Sequence, residues 1–377
     1  MCQNVLFVIK SFGLRLYKHY PPIIFFFYTM SSLRDTANKL LVAGKGILAA
    51  DESDGTCAKR FDKYGIEKTP EMRRKWRELL FSSPNVADGL SGIILYDETI
   101  RQKASTGEPF VEFLSKRGIL PGVKVDQKTE PFKSPLARGV QRSSEAGGVT
   151  AGEEVTKGLS GLSGRLAEYA KYGATFTKWR AVIRIGETIP TDECLLENAK
   201  RLAEYAKKSQ EAGLVPVIEP EVLLDGTHTL ERSEEVLTKT LRTVFAEVEK
   251  AGVTLSGLIL KSSMALPGKE SGKAASPKEI AESTLRAFKA SVPKEVPGIV
   301  FLSGGQTPEE ATERLNEIVK QAKKQNTPWR ITFSYSRALQ EPVMKEWAGK
   351  AEKVASAQKI FAKRVKETSL ASEGKFK

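Results

Sequence analysis

The stretch LVPVIEPEV (214–222) begins as a short apolar run and ends in two carboxylates, Glu219 and Glu221. A run of this length, too short for a typical helix and rich in β-branched residues, predicts a strand buried on both faces. Residues two apart on a strand point to the same face, so Glu219 and Glu221 project together. Charges are costly to bury unless they are paired or used, so this strand predicts a functional site as well as a core element.

Seven more segments of this kind occur along the chain. They are GILAAD (46–51), SGIILY (91–96), GVKVD (122–126), FTKWRAVIRI (176–185), SGLILK (256–261), GIVFLSGG (298–305) and WRITFSY (329–335). Stretches with helical periodicity separate them, as at 192–212. The stretches 276–292 and 307–325 begin with Ser-Pro and Thr-Pro, which is typical of an N-cap followed by the first helical position.

Strand–helix alternation with near-continuous apolar strands predicts an α/β protein with parallel strands covered on both faces. Eight such units predict a closed (β/α)8 TIM barrel, a single domain over residues 30–377. A long C-terminal helix at about 339–368 is expected to pack outside it. An open doubly wound sheet remains an alternative, although no glycine fingerprint follows an early strand.

Composition excludes several classes of protein. The 377 residues are 40% hydrophobic and 28% charged, which is a globular mix. Three cysteines and two histidines are too few for a disulfide framework or the usual zinc site, so we expect no metal. The net charge of +13 suits phosphorylated metabolites, nucleic acid or acidic surfaces. Because the basic residues are scattered among acidic ones, small phosphorylated substrates are favoured.

Residues 1–29 differ from the rest of the chain. They contain no Asp or Glu and carry Lys10, Arg15 and Lys18. Two interpretations remain open: a targeting leader, or an extension upstream of a true start at Met30. The apolar runs VLFVI and IIFFFY are far shorter than the roughly 20 residues of a membrane span.

The predicted strand ends carry polar side chains, and in a barrel the chemistry lies at the carboxyl ends of the strands. These residues are Asp51, Lys124, Asp126, Lys178, Arg180, Glu219, Glu221, Lys261, Ser303, Gly304, Gly305 and, just beyond the last strand, Arg337. Any one pair could be a structural ion pair. Charges of mixed sign at the ends of five consecutive strands favour an active site.

Lys261 is the most specific single candidate for a functional residue, because it ends an apolar strand. Burial and neighbouring cations favour a neutral amine that can attack a carbonyl carbon. The alternative is a lysine that extends from a strand end to solvent. Glu219 is a candidate for the proton transfers of such a reaction. The Ser303-Gly304-Gly305 backbone and the Arg337 guanidinium are candidate phosphate ligands.

With these residues in place, the chain resembles class I fructose-1,6-bisphosphate aldolase from about Leu33 to Lys375. The matching segments are GKGILAADES (44–53), GVKVD (122–126), KWRAVI (178–183), PVIEPEVLLDGTH (216–228), LILK (258–261), FLSGGQTPEEAT (301–312) and SYSRALQ (334–340).

The resemblance implies a role for each matched residue. Lys261 would form the Schiff base, Glu219 would dehydrate the carbinolamine, and Asp51 would deprotonate the hydroxyl that starts carbon–carbon cleavage. Lys178 and Arg180 would be supporting cations, with Lys124 and Glu221 also lining the site. Ser303, Gly304 and Arg337 would bind one phosphate; Ser53, Thr56 and Arg60 would contact the other end of the bisphosphate.

The resemblance also implies that no cofactor is needed, since the protonated imine is the electron sink. It implies a cytoplasmic homotetramer whose partners are fructose 1,6-bisphosphate and triose phosphates, with no nucleic acid and no membrane. Fructose 1-phosphate or another ketose phosphate is an alternative substrate, and an inactive scaffold is an alternative function.

Four departures from the family pattern bear on this prediction. Residues 138–150 form an insertion, expected to be a solvated loop near the site. Ser336 replaces a glycine common in the family, and Ser262-Ser263 replaces Pro-Asn. The sequence ends at Lys377 without a tyrosine-ending tail, which puts tyrosine-assisted proton transfer in doubt.

Overall fold

A computed structural model describes residues 32–133 and 149–377, with side chains described from 152 onward in the second range. The predictions for the leader at 1–29, and those for insertion residues 138–148, lie outside these residues. Among the described residues, every helix is too short or too polar to span a bilayer.

Within the described ranges, ten strands form a barrel and a hairpin. They are β1 (Gly46–Ala50), β2 (Leu90–Leu95), β3 (Leu120–Lys124), β4 (Thr129–Lys133), β5 (Val149–Thr156), β6 (Phe176–Ile183), β7 (Val215–Val222), β8 (Ile259–Ser262), β9 (Gly298–Phe301) and β10 (Arg330–Tyr335). Eight of them close a parallel barrel in the order β1-β10-β9-β8-β7-β6-β3-β2. The predicted (β/α)8 barrel is confirmed, and each of its eight strands overlaps a predicted segment.

Helices cover the outside of the barrel. Residues 32–40 are helical, and we call them α1. The others are α2 (Asp54–Asp62), α3 (Pro70–Phe81), α4 (Val86–Gly89), α5 (Asp97–Ile100), α6 (Phe110–Ser115), α7 (Leu162–Tyr172), α8 (Asp192–Glu211), α9 (Leu230–Lys250), α10 (Pro277–Ser291), α11 (Pro308–Lys324), α12 (Arg337–Trp347) and α13 (Val354–Ser372). Short 3-10 turns lie at Leu255–Gly257 and Ala351–Lys353.

Two helix starts follow directly from local sequence. The Ser276 hydroxyl accepts a hydrogen bond from the Glu279 N–H, and the Thr307 hydroxyl accepts one from Glu310 N–H. Each glutamate side chain returns to the N-cap backbone, which completes a capping box. The predicted boundaries of these helices are confirmed to within a residue or two.

The sequence did not predict the antiparallel hairpin of β4 and β5, which lies between β3 and β6. Its strands TEPFK and VTAGEEVT have no run of large apolar residues, because the hairpin sits outside the barrel core. Two insertion residues expected in a loop, Val149 and Thr150, belong to β5. The base of the hairpin is tied to the barrel, since the Thr156 hydroxyl donates to the Arg180 carbonyl at 2.8 Å.

The long C-terminal helix expected at about 339–368 is two helices, α12 and α13. The chain turns at Ala348 and Gly349, whose φ angles are 45° and 77°. A left-handed pair of residues cannot continue a right-handed helix, so the helix ends there. The helices pack outside the barrel as expected, with Arg364 donating to the Thr312 hydroxyl at 2.8 Å.

The amino end of the barrel is closed by apolar packing. Leu33, Ala37 and Leu40 of α1 form one buried cluster with inward-facing strand residues, among them Phe176 and Val217. Polar chemistry is therefore confined to the opposite, carboxyl end of the strands.

Gly122 in β3 gives a direct test of this interior packing. A Cβ at position 122 would lie 2.5 Å from Phe176 Cε1, and that ring is fully buried. We expect Gly122→Ala to destabilise the protein by about 1–3 kcal/mol, because an overpacked interior must shift. Chemical denaturation measures the change.

The matched control is Gly164→Ala in α7, where a Cβ would meet nothing within 4 Å. There alanine should be neutral or stabilising by up to about 1 kcal/mol, since glycine is a poor helix former. Equal stability of the two variants would contradict the described packing.

Candidate active site

A cavity of about 570 Å³ opens at the carboxyl end of the barrel. All thirteen residues to which the resemblance assigns roles line it: Asp51, Ser53, Thr56, Arg60, Lys124, Lys178, Arg180, Glu219, Glu221, Lys261, Ser303, Gly304 and Arg337. They come from separate strands and loops, and the barrel places them together at the carboxyl end of its strands. Their functional roles stay predictions at this point.

A chain of four alternating charges lies on the floor of the cavity. Lys178 Nζ lies 3.0 Å from Asp51 Oδ2 and 2.6 Å from Glu219 Oε2. The other oxygen of Glu219 lies 3.0 Å from Lys261 Nζ. Glu219 therefore bridges the two lysines, and a proton can pass between Glu219 and Lys261 over one hydrogen-bond distance.

These contacts set the charge of the buried groups. Burial alone would raise the pKa of Asp51, but Lys178, Lys261 and Lys124 outweigh it and hold that pKa well below its usual range. Burial likewise raises the pKa of Glu219, but the neighbouring cations, Lys178 and Lys261 foremost, lower it overall. Burial would lower the pKa of Lys178, yet Asp51 and Glu219 raise it. The resting site therefore holds ionised carboxylates and an ammonium group at Lys178.

Lys261 is almost fully buried, so it does not extend to solvent. The two serines that follow it are accommodated by local hydrogen bonds: the Ser263 hydroxyl accepts from the Val222 N–H at 3.1 Å. The charged side chain in contact with Lys261 is the carboxylate of Glu219. The neutral amine predicted from neighbouring cations stays a prediction.

A second group of charges lies beside this chain. Lys124 Nζ is 2.6 Å from Asp126 Oδ1, and Arg180 pairs with Glu221. The other Asp126 oxygen accepts the Arg180 backbone N–H at 3.2 Å, so these strand ends are held together by charge-assisted bonds.

The Ser303-Gly304-Gly305 turn and Arg337 lie together at one side of the cavity. Gly304 and Gly305 have φ angles of 53° and 90°, a backbone form that favours glycine. Arg337 is the first residue of α12, and no carboxylate among the described residues lies within ion-pair distance of it. A turn of this kind beside an uncompensated guanidinium suits an anion such as phosphate.

Sequence reasoning missed a buried network around Glu52. The Glu52 carboxylate pairs with Arg60 and with Arg77, the latter at 2.7 Å, and accepts from the Ser336 hydroxyl at 2.6 Å. Burial raises the pKa of Glu52, but Arg77 and Arg60 lower it overall. Ser336 also accepts from Arg60 at 3.2 Å, so this serine helps to hold Arg60 in place.

Other cavity residues were missed as well. Lys59 and Lys63 line the cavity together with Thr56 and Arg60. Their three- and four-residue spacing, along α2 and its C-cap residue Lys63, is the signal that could have found them. Lys128, at the base of the hairpin, carried no such signal.

Three further residues lie away from the cavity lining. Cys57 and Cys194 are buried in apolar clusters, and burial raises the pKa of the Cys57 thiol to about 11. His228 is nearly buried in the loop after β7.

Comparison with known proteins identifies the family. Residues 32–377 match the family model described as fructose-bisphosphate aldolase class-I. The probable fructose-bisphosphate aldolase class 1 of Xanthomonas campestris pv. campestris is 47% identical over 350 residues, covering 93% of this chain and 99% of the relative. The cytosolic fructose-bisphosphate aldolase 5 of Arabidopsis thaliana is 47% identical over 90% of each chain.

A solved structure agrees with these relatives. It is the fructose-bisphosphate aldolase of Plasmodium falciparum, in complex with TRAP and a small-molecule inhibitor. It is 41% identical, with a TM-score of 0.86, and the match covers 96% of this chain and 98% of that one. Sequence and fold thus agree over almost the whole barrel, and the chain belongs to the class I fructose-bisphosphate aldolase family.

Proposed function

We propose that this protein cleaves fructose 1,6-bisphosphate reversibly to dihydroxyacetone phosphate and glyceraldehyde 3-phosphate, by way of an imine on Lys261. The observation that carries the proposal is the Asp51–Lys178–Glu219–Lys261 chain at the floor of the cavity. It supplies a nucleophile, an acid/base in contact with that nucleophile, and a separate base on the other side of a fixed cation.

The first half of the reaction forms the imine. Glu219 takes a proton from Lys261, and the amine attacks the ketone carbon to give a carbinolamine. Glu219 then returns its proton to the departing hydroxyl, which leaves as water. The resulting iminium carbon is positively polarised, and Lys178 holds Glu219 in place throughout through its 2.6 Å contact.

The second half breaks the carbon–carbon bond. The Asp51 carboxylate, ionised because its pKa is low, removes the proton from the substrate hydroxyl two carbons from the imine. The new carbonyl forms as the bonding electron pair moves to the iminium, which becomes an enamine. Protonation and hydrolysis of the enamine release dihydroxyacetone phosphate and free Lys261.

Cations around the cavity mouth support a substrate with two phosphates. Arg337 and the Ser303-Gly304 backbone suit one phosphate, and Ser53, Thr56 and Arg60 are proposed to contact the other end. The Arg60 guanidinium is held in the cavity by its hydrogen bond to the hydroxyl of Ser336, the residue before Arg337. The number of cations favours the bisphosphate over fructose 1-phosphate.

A coupled assay for triose phosphate tests the function. We expect cleavage of fructose 1,6-bisphosphate to persist in the presence of a chelator and to exceed cleavage of fructose 1-phosphate in kcat/KM. A higher kcat/KM for the monophosphate would favour the alternative substrate, and no turnover of either sugar would favour an inactive scaffold.

Arg337→Ala is expected to raise KM for fructose 1,6-bisphosphate roughly 10- to 100-fold, because a charge-assisted phosphate contact is lost. Steady-state kinetics measure it, with Arg286→Ala as the control. Arg286 lies on α10 and pairs with Glu234 outside the cavity. An unchanged KM in Arg337→Ala would move the phosphate site elsewhere.

We also propose a cytoplasmic location and a homotetramer. The location is supported by the cytosolic designation of the Arabidopsis relative. The tetramer follows from the family resemblance, and light scattering on the purified protein tests it.

A further inference from the structure

The loop after β8 reaches towards the phosphate side of the cavity and carries an unassigned lysine, Lys269. Its backbone is bound to the loop after β7 by three hydrogen bonds. Gly268 N–H donates to the His228 carbonyl at 2.8 Å, Lys269 N–H to Leu224 at 2.9 Å, and Glu270 N–H to Gly226 at 3.0 Å. The position of Lys269 is therefore set by the backbone of two joined loops.

Gly268 makes this close approach of the loops possible. A Cβ at residue 268 would lie 2.6 Å from the Gly226 carbonyl carbon and 3.0 Å from the His228 nitrogen. Backbone atoms cannot move aside as the end of a side chain can, so only glycine fits here. The chain thus holds the Cα of Lys269 in place without help from the lysine side chain.

The Lys269 ammonium group lies beside Arg337, over the glycine turn. A Cβ placed on Gly305 would lie 2.9 Å from Lys269 Nζ and 3.4 Å from Arg337 Nη2. Two cations therefore flank a single point above the Ser303-Gly304-Gly305 turn. Like charges repel at such a separation, so the arrangement favours an anion between them.

The existing partner of Lys269 offsets little of this charge. Asp225 Oδ1 lies 3.4 Å from Lys269 Nζ, and the two side chains are 57% and 41% exposed. An exposed ion pair at this distance contributes little free energy. The Lys269 ammonium group therefore loses little when it leaves Asp225 for a phosphate.

We infer that Lys269 is a second cationic ligand of the phosphate that binds at Arg337 and the Ser303-Gly304-Gly305 turn. This inference rests on the proposed function, because it deepens the same phosphate site. A phosphate dianion presents oxygens on several sides, so a guanidinium and an ammonium group can bind it from different directions. Lys269 then sets affinity for the phosphate end of the substrate and takes no part in bond breaking.

Steady-state kinetics with fructose 1,6-bisphosphate test the role of Lys269. We expect Lys269→Ala to raise KM about five- to tenfold while kcat stays within about twofold, because the contact is made in substrate and transition state alike. Lys269→Arg, which keeps the charge, should recover most of the loss. Lys273→Ala removes an exposed lysine from the same loop and should leave KM unchanged.

Asp225→Ala separates a ligand role from a structural one. If Lys269 acted only through its ion pair with Asp225, removing either partner would have the same effect. The inference instead predicts that Asp225→Ala leaves KM unchanged or lowers it, because the carboxylate competes with phosphate for Lys269.

Wild-type KM in Lys269→Ala, or an equal rise in Asp225→Ala, would overturn the inference while leaving the proposed function intact. If the wild-type protein turned over no sugar phosphate, the proposed function itself would fail. The two failures are therefore distinguishable in one set of assays.

Discussion

Lys261→Met is expected to lose cleavage of fructose 1,6-bisphosphate by at least about four orders of magnitude in kcat, because the side chain that forms the imine is gone. Methionine fills much of the same volume without a charge, and Lys261 is almost fully buried, so the barrel should remain folded. The substitution also leaves Glu219 paired with Lys178 at 2.6 Å, which avoids an unpaired buried carboxylate.

Lys45→Met is the matched control for this variant. Lys45 precedes β1 at the amino end of the barrel and donates to the Ala87 carbonyl at 2.6 Å, far from the cavity lining. It should retain kcat within a few-fold of wild type. Circular dichroism checks that both variants are folded, and a folded Lys261→Met protein with near-wild-type turnover would refute the imine assignment.

Lys178→Met is expected to reduce both activity and stability. Lys178 contacts Asp51 and Glu219, and its loss leaves these buried carboxylates with less positive charge around them. Breaking a buried ion pair by removing one partner costs about 3–5 kcal/mol. The loss of Lys178 also raises the pKa values of both carboxylates, and the reaction needs them ionised. We therefore expect kcat to fall by at least about 100-fold.

The stability loss should depend on pH. The folded-state pKa values of Asp51 and Glu219 are lowered, so their ionised forms stabilise the wild-type protein above the unfolded-state pKa of about 4. That stability is lost as the pH falls through the folded-state values. The difference between wild type and Lys178→Met should therefore be largest at neutral pH and narrow below about pH 4.

Lys208→Met is the control for this effect. Lys208 pairs with Glu204 on the exposed face of α8, and such pairs contribute about 0.3–0.5 kcal/mol. Urea denaturation at several pH values measures both variants. If Lys178→Met lost as little unfolding free energy as Lys208→Met, or if its loss grew as the pH fell, the described charge chain would be contradicted.

The barrel and most of the site could be predicted from the sequence because both follow from local patterns. Each barrel strand is a short apolar run, and charges such as Glu219 and Lys261 interrupt these runs near their carboxyl ends. Ser53, Thr56 and Arg60 were predicted from the family resemblance and not from such a pattern. Because the parallel strands close into a barrel, their carboxyl ends meet at one end of it, however far apart they are along the chain.

The features that were missed depend on tertiary contacts that leave no local pattern. The hairpin of β4 and β5 lacks an apolar run, and the break between α12 and α13 depends on the backbone angles of Ala348 and Gly349. Glu52 is buried against residues far away in sequence, such as Ser336. Lys269 lies in a polar loop, and only the joined loops bring it beside Arg337.

The central claim is that Lys261 forms an imine with the substrate. The most direct test is borohydride trapping of the wild-type protein with dihydroxyacetone phosphate in the presence of a chelator, followed by peptide mass mapping. The account predicts one stable adduct, on the peptide that carries Lys261. A folded protein with no adduct, or with an adduct on another lysine such as Lys178, would contradict it.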